Sequence, residues 1–174
     1  MTLLNEEICE FIGAFIGDGY FGNYGKRKTQ FLVGFAGDKR LDEAYLKNHL
    51  LPLIKRNFPY TNPHLRYRTD EETLMLRMYS KQLFDFLITL GFKPGPKTKT
   101  VTIPDQIIEN KTFFSATIRG IFDTDGSLYF DKRPTYPNIY PRLELHLHNS
   151  PLLEIIYLYL CQNGIGAKIN SLNS

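Results

Sequence analysis

Two stretches of this chain repeat one pattern of residue types. Residues 11–19 read Phe-Ile-Gly-Ala-Phe-Ile-Gly-Asp-Gly, and residues 118–126 read Ile-Arg-Gly-Ile-Phe-Asp-Thr-Asp-Gly. In each, a glycine is followed five residues later by an aspartate and then a second glycine, and the two aspartates, Asp18 and Asp125, stand 107 positions apart. Both stretches close an apolar helical run. A glycine inside a helix costs about 1 kcal/mol relative to alanine, so Gly13 and Gly120 point to two helix backbones in close approach, where no Cβ keeps them apart. If those helices cross side by side, their C-terminal ends meet and Asp18 faces Asp125. Two such carboxylates repel unless a cation lies between them. Hard oxygen ligands suit Mg²⁺, and a divalent ion beside a phosphodiester can activate water and stabilise the leaving oxygen. The pattern therefore predicts metal-dependent phosphodiester hydrolysis. A calcium loop opening at Asp123-Thr124-Asp125-Gly126 is the competing reading. It fails because an EF-hand needs Gly at its sixth position and Glu at its twelfth, where this chain has Leu128 and Pro134.

Helices must end where the aspartates stand. Asn5 can cap a first helix with Glu6 and Glu7 in its opening turn, and Gly17-Asp18-Gly19 should stop it. Residues 20–24 and 31–36 read as strands around a basic connector. Residues 41–58 read as an amphipathic helix with apolar positions at 46, 50, 53 and 54. Residues 64–68 and 73–79 alternate as a hairpin, and Ser80 caps a helix that Gly91 ends. The connector 93–104 is rich in Pro, Gly and Lys, and after it the order restarts. A helix over 113–124, strands over 128–130 and 142–148, and a helix from Ser150-Pro151 to Gly164 follow, with one more strand opening at 168–172. The chain thus reads as an α+β protein in two copies, α-β-β-α-β-β-α and then α-β-β-α-β. The first half spans 1–95, a linker spans 96–112, and the second half spans 113–174 without its last strand and helix.

The 174 residues carry 43% hydrophobic residues, normal Gly and Pro, and a net charge of +3. That supports a packed core and excludes a disordered tail or collagen-like repeat. The charge is mild, so a basic surface has to arise from placement on one face. Cys9 and Cys161 make no disulfide framework. No apolar run is long enough to span a bilayer, and the acidic N-terminus does not read as a signal peptide. The expectation is a reduced, intracellular, soluble protein.

With both motifs, the repeated element order and the basic connector in view, the sequence resembles the single-chain, two-motif LAGLIDADG homing endonucleases encoded in archaeal and organellar introns. The resemblance implies a pseudo-two-fold αββαββα fold, with antiparallel saddle-shaped sheets and helices on one side. It implies that Asp18 and Asp125 bind the catalytic metal, with the preceding Gly17 and Thr124 in the metal set. Gly13, Ala14, Ile16, Gly120 and Ile121 would pack the interface helices. The first motif departs from the family at Ile16, where an acid is common; the second keeps Asp123, whose role would be structural. Lys97, in the segment after the first-half helix, would approach the active site and stabilise phosphate charge, with Asp38 and Lys39 near the same water network.

The implied partner is a long, asymmetric double-stranded DNA site, cut by a monomer to leave short 3′ overhangs. Mg²⁺ would serve as cofactor, Mn²⁺ would substitute, and Ca²⁺ would support binding without cleavage. Strand parity then assigns the DNA-facing groups: Arg66, Arg68, Met75, Arg77 and Tyr79 in the first half, and Arg142, Glu144, His146 and His148 in the second, with Leu143, Leu145 and Leu147 turned to the core. Arginines on a β-ribbon can read guanine edges in the major groove. Lys26, Arg27, Lys28 and Gln30, with Lys132 and Arg133, would reach phosphates at the flanks. The compartment would be a prokaryotic cytoplasm or an organelle matrix. Two other functions fit the same fold: an RNA maturase acting on intron RNA, and a DNA-binding protein that does not cut.

Overall fold

The computed structural model describes residues 3–25, 27, 29–69, 71–95, 101–132, 139–147 and 150–170. Helix α1 (Glu6–Asp18) starts where Asn5 Oδ1 accepts the Ile8 N–H at 2.8 Å, with Glu6 and Glu7 in its first turn. It runs straight into β1 (Gly19–Tyr24), which pairs antiparallel with β2 (Gln30–Asp38). Strand β4 (Thr73–Tyr79) pairs with both β2 and β3 (His64–Tyr67), giving a four-stranded antiparallel sheet of order β1-β2-β4-β3.

The helix expected over 41–58 is α2 (Glu43–Tyr45), a π-helical turn (Leu46–Leu50) and α3 (Leu51–Asn57) in direct succession. Pro52 gives the physical reason for the wide turn. Its ring lacks an N–H and crowds the preceding turn, and Leu51 N–H reaches back five residues to the Leu46 carbonyl. Helix α4 (Lys81–Thr89) is capped by Ser80, whose Oγ accepts the Leu83 N–H at 3.2 Å, and Gly91 follows at φ +90°.

The linker expected over 96–112 holds a short helix that the sequence pattern did not reveal, α5 (Asp105–Ile108), which buries Ile107. Helix α6 (Lys111–Asp125) opens earlier than Phe113 because Asn110 Oδ1 accepts the Thr112 and Phe113 N–H groups at 3.0 and 3.2 Å. It leads directly into β5 (Gly126–Asp131), paired with β6 (Tyr140–Leu145). Strand β6 was expected to reach His148 but ends at Leu145. Its partner β5 begins only at Gly126, so later residues have no strand opposite, and His146 N–H bonds the Asp125 carbonyl at 3.2 Å instead. Helix α7 (Ser150–Gln162) is followed by Gly164 at φ +75°. The strand expected at 168–172 does not form over 168–170, where no described segment pairs with it, and the remainder lies outside the described residues.

The core sits between the four-stranded sheet and α1, α3 and α4. Phe11, Phe15 and Phe35 are fully buried; Phe35 meets both others edge-on, with Phe11 to Phe35 centroids 5.6 Å apart, while Phe11 and Phe15 stack. Phe21 of β1 packs on Phe84 of α4 at 5.0 Å, and Phe15 on Phe92 at 5.3 Å. Each such ring contributes roughly 1.5–3 kcal/mol by leaving water.

Candidate functional site

Helices α1 and α6 pack backbone to backbone. A Cβ on Gly13 would lie 2.0 Å from the Thr117 carbonyl oxygen, and one on Gly120 would lie 2.1 Å from the Glu10 carbonyl oxygen. Only glycine fits at either position. Ala14, Ile16 and Ile121 are buried beside the crossing. One turn further, a Cβ on Gly17 would meet Thr124 Oγ1 at 1.9 Å and the Asp125 Oδ2 carboxylate oxygen at 3.0 Å. The Asp125 carboxylate therefore lies against the last turn of α1, next in sequence to Asp18. Both aspartates are half-buried.

Backbone and side-chain oxygens gather at this junction. Each helix terminus carries partial negative charge, each ends in Asp, and neither has a basic residue in its last turn. The two helix ends thus bring oxygen donors of the kind Mg²⁺, Mn²⁺ and Ca²⁺ accept to one junction. Thr124 Oγ1 donates back to the Gly120 and Ile121 carbonyls at 3.2 and 3.0 Å, so Thr124 would offer a cation its backbone oxygen.

From the same junction β1 and β5 depart, and their outer faces continue away from it. Register puts Tyr20, Gly34 and Arg77 side by side, then His64 opposite Arg77, with Met75 opposite Arg66. Leu74, Leu76 and Met78 are fully buried on the inner face. Arg77 Nε donates to Tyr20 Oη at 3.2 Å, His64 stacks on Tyr79 at 6.2 Å, and Arg66 is exposed. Gln30, opposite Tyr24, shares this face and lines an open cleft of about 630 Å³ with Tyr79 and Lys81. Arg68 is tied to Glu71 at 2.9 Å. Arg27 is exposed in the β1–β2 connector.

The second-half ribbon has the same parity. Ser127, Tyr129 and Asp131 face Glu144, Arg142 and Tyr140 across the pair. Its charges are already matched: Arg142 Nε lies 2.8 Å from Asp131 Oδ2, and Tyr129 Oη donates to Glu144 Oε1 at 2.6 Å. His146 lies 3.6 Å from Glu144 and Lys132 is exposed. The leucine face departs from expectation. Leu145 and Leu147 pack against the core, but Leu143 is 69% exposed, because no described helix covers this ribbon as α4 covers β1. Lys39 also departs: its Nζ donates to the Arg68 and Glu71 carbonyls, which fixes it to the β3–β4 turn. Asp38 Oδ1 accepts the Arg40 N–H at 2.7 Å and closes a turn. Lys26, Lys28, Lys97, Arg133 and His148 lie outside the described residues.

Tyr20, Tyr24, His64 and Tyr129 share the outer faces and were not singled out by sequence. The signal was available for β1, where Tyr20 and Tyr24 have one parity and Phe21 the other. No helix among the described residues is long and apolar enough to cross a membrane.

No family model matches the chain. A curated relative, the replication factor C small subunit of Methanocaldococcus jannaschii, is 28% identical over 124 residues, which is 71% of this chain and 6% of that protein. A stretch that small a share of its length does not bring that protein's replication role with it. Among solved structures, I-DmoI in complex with DNA and Mn superposes with a TM-score of 0.68 at 20% identity, over 95% of this chain and 81% of that one. The homing endonuclease I-WcaI bound to its DNA recognition sequence gives 0.55 at 20% identity, over 98% and 74%. Paired motif helices, strands leaving directly from both aspartates and these superpositions agree: the chain has the LAGLIDADG homing endonuclease fold.

Proposed function

We propose that this chain is a site-specific double-stranded DNA endonuclease that hydrolyses phosphodiester bonds with a divalent cation, Mg²⁺ in the cell. The observation that carries the reading is the meeting of the last turns of α1 and α6, where Gly17 lies against the Asp125 carboxylate and β1 and β5 begin. The neighbours I-DmoI and I-WcaI, bound to DNA, support it by fold. Asp18, Asp125 and the helix-end carbonyls of Gly17 and Thr124 would hold the cation. When bound, it supplies a Lewis acid that makes water a better nucleophile and neutralises the leaving oxygen.

The chain's own residues orient the duplex. Arg66 and Arg77 reach base edges from the four-stranded sheet, with Tyr20 steadying the Arg77 guanidinium. Arg27 and Lys132 meet phosphates from the two connectors. A monomer suffices because one chain carries both carboxylates.

The test is cleavage of a plasmid library of candidate sites with Mg²⁺, Ca²⁺ or EDTA. Discrete Mg²⁺-dependent double-strand breaks at one sequence are expected, with binding alone in Ca²⁺. Asp18→Asn and Asp125→Asn should each remove double-strand cutting and leave DNA binding intact. Full cutting by both variants would overturn the assignment. Binding to intron RNA without breaks under any metal would instead select the maturase.

A further inference from the structure

We propose that Glu10, His49 and Asp123 form a second metal site, separate from the Asp18–Asp125 junction, for a divalent transition-metal ion of the zinc class. Glu10 Oε, His49 Nε2 and Asp123 Oδ come from α1, the π turn and α6, and the three atoms lie within 4.8 Å of one another. Metal bonds of about 2.1 Å place tetrahedral ligand atoms about 3.4 Å apart, so small side-chain rotations would part the directly bonded Glu10 and His49 atoms and bring Asp123 in.

The set is distinct from the proposed nuclease centre by simple geometry. Asp123 and Asp125 are two residues apart on α6 and so project roughly 200° from each other around its axis.

Glu10 is the anchor. Its side chain is 5% exposed, in a fold where almost every other buried side chain is apolar. Arg119 holds Oε2, with its Nε at 2.9 Å, and His49 Nε2 meets Oε1. Arg119 thus fixes the carboxylate through Oε2, and an ion would take the place of the proton between Oε1 and His49 Nε2. His49 is held in turn by stacking on Tyr45, with centroids 5.5 Å apart and planes 24° apart.

Charge and polarity both leave room for a cation. Glu10 and Asp123 carry two negative charges against one from Arg119, with His49 neutral as a ligand must be. Tyr45 Oη, beside the cluster, is the one buried side-chain polar atom among the described residues with no hydrogen-bond partner. A water in the ion's remaining position would give that hydroxyl a partner.

One imidazole nitrogen with two carboxylate oxygens suits zinc and its neighbours, whereas Mg²⁺ prefers oxygen and water. Once filled, the site would join α1 of the first half to α6 of the second through the helix that carries His49.

The experiment uses the full chain as the Asp18→Asn/Asp125→Asn double variant, so the oxygen-rich junction no longer competes and cleavage plays no part. Co²⁺ is titrated and its visible absorption followed, with Zn²⁺ as competitor and melting temperature as second readout. Expected are a one-to-one Co²⁺ spectrum displaced by Zn²⁺ and a melting temperature raised by several degrees at saturating Zn²⁺. Adding His49→Ala should weaken Co²⁺ binding by at least about tenfold and remove the Zn²⁺-dependent rise. The His49 side chain is 49% exposed, so the variant should fold. No Co²⁺ spectrum in the double variant, or the same spectrum with and without His49, would overturn the proposal.

Discussion

At the scale of single residues, burial decides which groups are reactive. Cys9 lies fully buried in α1, and burial pushes its thiol up to about 12, so almost no thiolate exists near neutrality. Cys161 on α7 is exposed. An aromatic disulfide reagent should therefore titrate one thiol per native chain and two after denaturation. Two fast thiols in the native protein would show that α1 opens readily.

Glu7 gives the pH dependence. Its carboxylate accepts from Arg56 Nε at 3.2 Å, with the nearest guanidinium nitrogen at 2.7 Å, and from Asn57, and these bonds lower its pKa. A depressed acid stabilises the fold while ionised. That contribution is present above the ordinary glutamate value of about 4.3 and is lost as pH falls through the lower folded value. Urea unfolding should show Glu7→Gln less stable than the parent at pH 7, with the gap closing by pH 3. The pair is half-exposed, so the gap should be small.

Residue-level legibility was uneven for the same physical reason. Asp18 and Asp125 stand out in sequence because a glycine precedes each at a fixed spacing. Glu10 and His49 do not, because what makes Glu10 unusual is its burial and its partners, His49 and Arg119, 39 and 109 positions away.

At the scale of elements, the α1–α6 crossing holds the two halves together, and its tolerance for volume is nil. The obstacle to a methyl on Gly13 or Gly120 is backbone carbonyl, which cannot rotate aside as a side chain can. Gly13→Ala should destabilise the chain by roughly 2–3 kcal/mol through overpacking, lowering the melting temperature by about 5–10 °C. Differential scanning calorimetry checks this. An unchanged or raised melting temperature would mean the helices stand further apart in solution.

Local signals located most elements. Asn5, Ser80 and Gly91 act as caps and stops as their chemistry dictates, and the alternation of Leu74, Leu76 and Met78 gave the buried face of β4 directly. The departures have causes that hydrophobic periodicity does not display. Asn110 carries no apolar signal of a helix start, because the helix it caps opens with polar Lys111 and Thr112. The π turn before Pro52 depends on how one continuous helix absorbs a proline. The end of β6 is set by where β5 begins, since a strand stops when its partner does.

At the scale of the whole molecule, the two halves share a plan and one core, but their ribbons are not equally covered. Phe21 pairs with Val33 in the β1–β2 ribbon, and Leu128 pairs with Leu143 at the corresponding places of β5–β6. The first pair is 2% and 0% exposed beneath α4 and Phe92; the second is 60% and 69% exposed. Phe130 adds to the uncovered face at 59%. Matching positions in the two halves should therefore carry very different energies. Phe21→Ala removes a ring packed on Phe84 and should cost about 3–5 kcal/mol, from lost transfer energy and the cavity left behind. Leu128→Ala removes a side chain already in water and should fall within about 0.5 kcal/mol of the parent. Denaturant midpoints at unchanged slope would read both values. If Leu128→Ala instead cost several kcal/mol, the ribbon's apolar face would be covered in solution. Repeating the melt across a hundredfold range of protein concentration would then identify the cover, because only a second copy of the chain makes the midpoint depend on concentration.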